Sequence, residues 1–325
     1  MSEKQLDNIL VFEPQYKSVI WGGSRIAQLK NEDLPKNDVG ESREISSLKG
    51  QESIVAEGAN KGLKISELAE RYGKELLGDN VVKRYGNTYP LLIKIIDAHD
   101  ILSLQVHPDD NIAKKFHSSR GKSEMWYIID AQKDARIYCG LSESLTPTAF
   151  NSNVHAKTIM DKITSYASKE GQFYFIPAGT IHSIGAGNLI AEIQESSDIT
   201  YRVYDHDRTD ANGNPRQLHL EQACAALNFS FPNNIEPMAR SYSASTKDVI
   251  VNEHFTVDYY KLENSETIIS TDHSSFTTLL VTKGTIVINA DGVQRTVTAG
   301  HTVLIPAFVS QITLSGSGIA LAAHI

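Results

Sequence analysis

Two stretches of this chain, 129 residues apart, read as copies of one β unit. GQFYFIPAGTIHSI, beginning at Gly171, lines up without gaps against GHTVLIPAFVSQIT, beginning at Gly300. Ile176-Pro177-Ala178 falls on Ile305-Pro306-Ala307, and His182 falls opposite Gln311. A glycine followed after five residues by a proline marks a turn between strands, and the matching apolar positions extend the likeness beyond that turn. The repeat predicts two copies of a β-barrel unit. It also separates His182 from the demands of the fold, because the second copy manages with Gln311.

Short β-favouring segments punctuated by Gly, Pro, Asp and Ser surround the first copy. They are EMWYIIDA, ARIYCGL, TSYAS, NLIAEIQES and ITYRVYDH. LLIKIIDA after Pro90 is too apolar for an exposed edge, and GESREISSLK from Gly40 reads as an early strand. The paired glycines of VIWGGSR predict a tight bend. Helical spacing of Leu68, Tyr72 and Leu76 predicts a small helical segment near 64–84, and HLEQACAALNF and NIAKKFHS predict connecting helices, the latter capped by Asp109 or Asn111. Beyond a polar stretch from Pro232 to Thr246 the chain is strand and turn, with NADG as a hairpin signal. The expected organisation is a catalytic unit over 1–235 and a smaller β unit over 236–325.

Composition narrows the function classes. The 325 residues are 41% hydrophobic and 22% charged, enough apolar material for a substantial core. A net charge of -8 argues against an extended nucleic-acid surface. No apolar run has membrane-spanning length, and no secretory signal opens the chain. Cys139 and Cys224 alone build neither a disulfide framework nor a cysteine metal cluster. Neither a phosphate-binding GxxxxGK[ST] loop nor a dinucleotide fingerprint is present, so no nucleotide cofactor is expected. The expectation is a cytoplasmic protein, monomer or homodimer, acting on a small molecule.

Metal-binding groups concentrate in three places. Gln105 and His107 of SLQVHPDD sit two residues apart, and alternate strand residues share a face. Glu124 opens the strand of KSEMWYII, and His182 follows the Pro-Ala-Gly turn. An amide, a carboxylate and two imidazoles suit a borderline divalent ion, zinc first. Taken singly, each histidine is equally compatible with a core or surface role. Downstream, AEIQESSDITYRVYDHDR places Glu192, Asp198 and Arg202 at even spacing, on one face if the strand runs straight.

With WGG at Trp21, GESREIS at Gly40, YPLLIKIIDAHDILSLQVHPDD, GKSEMWY and IPAGTIHSIGAGNLIAEIQESSDITYRVYDHDR, the chain resembles the type I mannose-6-phosphate isomerases of the cupin superfamily, especially their short bacterial branch. The resemblance implies a mainly β protein of two cupin-type jelly-roll barrels. It implies one Zn²⁺ per chain held by Gln105, His107, Glu124 and His182. It also implies catalytic roles for Arg202, Glu192, Asp198 and Lys122, with Trp21, Ser103, Lys122 and Arg202 contacting a sugar phosphate. Two departures from the family pattern stand out: Ser123 replaces the usual proline of a Lys-Pro-Glu motif, and Arg43 replaces a common tryptophan.

The implied reaction interconverts D-mannose 6-phosphate and D-fructose 6-phosphate through a cis-enediolate. The rival readings are a non-catalytic sugar-phosphate-binding cupin protein and another metal-dependent cupin enzyme such as an oxygenase. The second β unit is expected to lack a metal, with His254, His273 and His301 as surface or turn residues.

Overall fold

The computed structural model describes residues 5–34, 36–209, 213–230 and 242–325. In chain order the first unit holds β1 (Leu10–Val11), β2 (Gln15–Gly23), α1 (Arg25–Lys30), β3 (Val39–Ser46), α2 (Ile65–Tyr72), α3 (Lys74–Leu77), α4 (Asp79–Tyr85), β4 (Leu91–Ala98) and β5 (Leu104–Val106). It continues through α5 (Asp110–His117), β6 (Glu124–Ala131), β7 (Arg136–Leu141), α6 (Pro147–His155), β8 (Ile163–Ala167), β9 (Phe173–Ile176), β10 (His182–Ile184), β11 (Asn188–Glu195), β12 (Tyr201–Tyr204) and α7 (Leu220–Ala226). The second holds β13 (Thr246–Val251), β14 (Thr256–Ser270), β15 (Thr277–Ala290), β16 (Val293–Thr298), β17 (Thr302–Ile305) and β18 (Gln311–His324). The expected boundary at 235/236 lies outside the described residues. Among the described residues no helix is long and apolar enough to cross a membrane.

The strands form three sheets, and none closes into a barrel. One has six strands in the order β2-β3-β4-β11-β6-β9, and one has five in the order β12-β5-β10-β7-β8. The third joins β1-β17-β15-β18-β14-β13, with β16 pairing β15. This corrects the expectation of two jelly-roll barrels. Closure needs an unbroken ladder around the circumference, whereas β5 and β10 have three residues each and the ladders shift register in β7–β8 and β12–β5. The six- and five-stranded sheets instead pack face to face. Trp21, Ile96, Trp126, Ile128 and Ile190 of one meet Ile137, Cys139 and Ile184 of the other in a continuous apolar layer.

Period-two alternation explains how the six-stranded sheet serves two purposes. Ile93, Ile95, Met125, Tyr127, Ala191 and Ile193 point outward, into a core shared with α2–α4 and with Val257, Leu280, Leu304 and Leu321 of the third sheet. The intervening residues of the same strands point inward, and they include Lys94, Glu124, Trp126, Glu192 and Gln194. The short β1 pairs with β17, Leu10 opposite Leu304 and Val11 opposite Val303, so a strand from early in the chain joins the sheet made by its last strands.

The 129-residue repeat is structural. β9 and β17 begin and end at equivalent positions, as β10 and β18 begin at His182 and Gln311. Gly171 and Gly300 share φ values of 86° and 84°, a left-handed conformation that glycine adopts without strain. The segment near 64–84 is helical but divided at Gly73, whose φ of 45° interrupts the ladder between α2 and α3. α5 is capped by Asp109, whose side chain accepts from the Ile112 amide at 2.8 Å.

Gly22 and Gly23 do not form the expected bend; they lie within β2, where β3 approaches closely. A Cβ at Gly22 would collide with the Asp38 carbonyl oxygen and the Gly40 amide. Both obstacles are backbone, so Gly22→Ala is expected to cost about 1–3 kcal/mol and to lower the melting temperature followed by circular dichroism.

Candidate metal centre

The centre forms where the two facing sheets meet. Antiparallel pairing sets His182 of β10 opposite Gln105 of β5, and Arg202 of β12 on the other side of Gln105. His107 follows β5 by one residue, and Glu124 enters from the facing sheet at the start of β6. Ligand atoms of His107, Glu124 and His182 lie within 4.8 Å of one another. His107 Nε2 is 3.4 Å from one Glu124 oxygen and His182 Nε2 is 3.3 Å from the other. All three residues are at most 1% exposed.

Each imidazole is oriented by its other nitrogen. His107 Nδ1 donates to the Ile199 carbonyl at 2.9 Å, and His182 Nδ1 donates to the Thr180 carbonyl at 2.9 Å. That fixes the tautomer and leaves both Nε2 lone pairs facing Glu124, an arrangement usual for metal-ligating histidine. The Gln105 side-chain amide lies 3.3 Å from His182 Nε2, and its carbonyl oxygen adds a fourth donor if the amide is turned over.

Electrostatics prepare the same set. Burial pushes the His107 imidazole down to about 4, helped by the neighbouring Lys122 ammonium. Burial lowers His182 as well. Burial alone would raise Glu124, but Lys122, His107 and His182 outweigh it and hold the carboxyl well below its ordinary range. Neutral imidazoles and an ionised carboxylate are the protonation states a cation requires. Neither Glu124 oxygen accepts a well-formed hydrogen bond, although Lys122 Nζ stands 2.8 Å from one of them and 2.9 Å from His107 Nε2. A buried carboxylate with unused lone pairs, flanked by two aimed imidazoles, fits a divalent cation with nitrogen and oxygen ligands.

The remaining sequence-selected residues fall around this cluster. Glu192 sits inside the six-stranded sheet, its oxygens 2.7 Å from Lys94 Nζ and 3.0 Å from Trp126 Nε1. Asp198 pairs bidentately with Arg43 at 3.0 and 3.1 Å and keeps 44% of its side chain exposed. Burial acts to raise Asp198, yet Arg43 and then Lys94 hold it below its usual value. Arg202 donates to the Gln217 carbonyl at 2.9 Å, while its Nε is buried without a partner. Among the described residues no carboxylate pairs with Arg202. Ser103 is buried, its hydroxyl 3.5 Å from the Gln105 side-chain oxygen. Trp21 is 6% exposed in the apolar layer between the sheets.

Two residues to which the sequence assigned no site role belong here. Lys94 is buried, 2.7 Å from both Glu192 and Gln194; burial acts to lower it, but the carboxylates of Glu192 and Glu41 outweigh that and raise it. Arg43 is 1% exposed and also meets Glu41 and Gln51. Cross-strand register makes Arg43, Lys94, Glu192 and Trp126 one row across β3, β4, β11 and β6. A lysine inside LLIKIIDA was the available signal, since a buried ammonium demands a partner.

Acid should weaken the metal-free protein. Below pH 6.5 unfolded His107 takes up a proton that the folded imidazole refuses until about pH 4. The unfolded state therefore binds more protons in that window, and stability falls as pH is lowered through it. Melting temperatures of metal-free protein measured from pH 7 to pH 4 are expected to decline, and a flat profile would contradict the neutral buried imidazole.

Comparison with known proteins places this geometry. The family model for the type I phosphomannose isomerase catalytic domain matches residues 9–138, and the model for the mannose-6-phosphate isomerase cupin domain matches residues 245–325. The mannose-6-phosphate isomerase of Streptococcus mutans is 33% identical over 316 residues, covering 97% of this chain and 98% of that protein. Mannose-6-phosphate isomerase ManA of Bacillus subtilis is 38% identical over 219 residues, 67% of each chain. The crystal structure of the mannose 6-phosphate isomerase from Bacillus subtilis superimposes with a TM-score of 0.86 at 29% identity, covering 98% of this chain and all of that one.

Proposed function

The chain belongs to the type I phosphomannose isomerases, and from that premise we propose how its residues divide the work. It is a metal-dependent aldose–ketose isomerase acting on mannose 6-phosphate. The observation that carries this reading is the buried His107–Glu124–His182 triad, with both imidazoles held neutral and aimed at one carboxylate. The metal is zinc, one per chain, with Gln105 as fourth ligand; the mixed nitrogen and oxygen donors support that choice.

An aldose and its ketose differ by a proton moved between C2 and C1, with a matching exchange between O1 and O2. The barrier is the weak acidity of the C–H bond, so charge on the cis-enediolate must be stabilised. The divalent cation supplies Lewis-acid polarisation of the sugar oxygens when bound. Arg202, opposite Gln105 in the register and with an unpartnered Nε, adds positive charge beside the developing oxyanion. Glu192 and Asp198 are the carboxylates placed to move the proton. Arg43 lowers Asp198 and so weakens it as a base. Asp198 then serves chiefly to hold Arg43.

Lys94 neutralises Glu192 within the sheet and orients it. Lys122 and Ser103 contribute polar contacts to the sugar phosphate, Lys122 together with Arg202 answering its negative charge, and Trp21 backs the pocket from the apolar layer. The two cysteines are free, which fits the reducing cytoplasm. The protein acts there as a monomer or homodimer.

The test is a coupled assay on metal-stripped protein, repeated after zinc is restored. Glu124→Ala is expected to lose metal retention and turnover together. Arg202→Ala should keep its metal while turnover falls about 100-fold or more, the usual cost of removing an oxyanion-stabilising group. Full turnover by protein shown to be metal-free would refute the reading.

A further inference from the structure

We propose that the C-terminal unit sets the metal affinity of the catalytic centre through a positioning residue, His254, acting by way of Glu195 and Ser123. The inference rests on the metal-binding reading above and extends it to a residue in another sheet.

Ser123 lies between Lys122 and Glu124, and Glu195 grips both of its backbone groups. The Ser123 amide donates to the Glu195 side chain at 2.8 Å, and the Glu195 amide donates to the Ser123 carbonyl at 3.1 Å. The Ser123 hydroxyl in turn accepts from the Ala178 amide at 3.3 Å, in the turn that leads to His182. Two further backbone bonds complete the lacing: Lys122 N to Pro108 O at 3.0 Å, and Gly179 N to His107 O at 2.8 Å. The segments carrying His107, Glu124 and His182 are thus tied to one another, with Ser123 as the shared knot. A proline at 123 would offer neither the amide nor the hydroxyl.

Glu195 is itself held from the third sheet. Its free oxygen lies 3.1 Å from His254 Nδ1, and the His254 side chain is only 12% exposed rather than a surface group. The tight turn before β14 fixes that ring, since Asn252 Oδ1 accepts from the His254 and Phe255 amides at 2.8 and 3.2 Å. Glu253 faces the other ring nitrogen at 3.2 Å. Among the described residues no lysine or arginine pairs with Glu195, and Asp110 stands in the same cluster. Among the described residues His254 is therefore the basic side chain paired with Glu195, the partner that lets it remain buried and turned toward Ser123. Without it, a buried carboxylate oxygen loses its partner beside another acid, and the cheapest relief is rotation or protonation of Glu195. Either response loosens the Ser123 amide and, one residue on, Glu124.

The experiment measures zinc affinity by competition against a chromophoric chelator, with melting temperatures recorded alongside. His254→Phe fills the space but offers no N–H, and is expected to weaken zinc binding about tenfold or more, the usual effect of removing an outer-shell partner. His254→Asn keeps a short N–H donor and should restore affinity to within a few fold of the unchanged protein. His254→Ala replaces the Phe variant if the larger ring prevents folding. Unchanged zinc affinity in the Phe or Ala variant overturns the proposal, as does an Asn variant as weak as these, which would show that shape matters and the donor does not. Zinc binding that is absent in the unchanged protein, or undiminished in Glu124→Ala, would overturn the metal reading itself. Loss in Glu124→Ala and in His254→Phe, with affinity recovered in His254→Asn, upholds both.

Discussion

Everything at the catalytic end of this molecule answers to one buried carboxylate. Glu124 is fully shielded from water, and an ionised group there is tolerable only with cations or aimed dipoles around it. The two facing sheets supply them from opposite sides. β6 carries the carboxylate; β5 and β10 carry the amide and imidazoles, in a register that sets His182 against Gln105. The long central strands of the six-stranded sheet anchor that geometry by their outward faces, in a core shared with the third sheet, so the position of Glu124 is set by packing on the face away from it.

The repeat shows what converts such a unit into a metal centre. β9–β10 and β17–β18 follow the same turn and begin at equivalent residues. In the second copy the ladder runs on: β18 pairs for fourteen residues with β14 and twelve with β15, making one extended sheet. Gln311, equivalent to His182, is exposed at the start of that strand. In the first copy β10 is cut to three residues, and its side chains face another sheet across an apolar gap. The metal-binding cluster lies where that ladder stops.

Much of this was legible from residue patterns, and the exceptions share a cause. Apolar and β-favouring runs between turn residues located β4, β6 and β11, the Pro-Ala-Gly turn located His182, and the two-residue spacing put Gln105 near His107. Closure was misjudged because it depends on which edges pair, a property of β2, β8, β9 and β12 that no local pattern carries. Lys94 stood out in an apolar run, but its partner Glu192 is 98 residues away and only register brings them together. His254 does lie in a turn, but its contact with Glu195 crosses between sheets and no local pattern announces it. The Gly22-Gly23 pair looked like a bend, whereas the small size of glycine serves close strand approach. α6 did carry a start signal, Thr146 before Pro147, concealed by its β-rich surroundings.

The two buried lysines have opposite relations to their partners, and the contrast bears on how the centre folds. Lys94 is saturated by Glu192 and Gln194 at 2.7 Å each, so its charge is committed to holding the row across four strands. Lys122 instead spans Glu124 and His107, both placed to bind metal. Its ammonium balances the Glu124 carboxylate within the chain itself, so burial of that charge does not wait for a metal ion. The cluster can therefore assemble without a cation already in place.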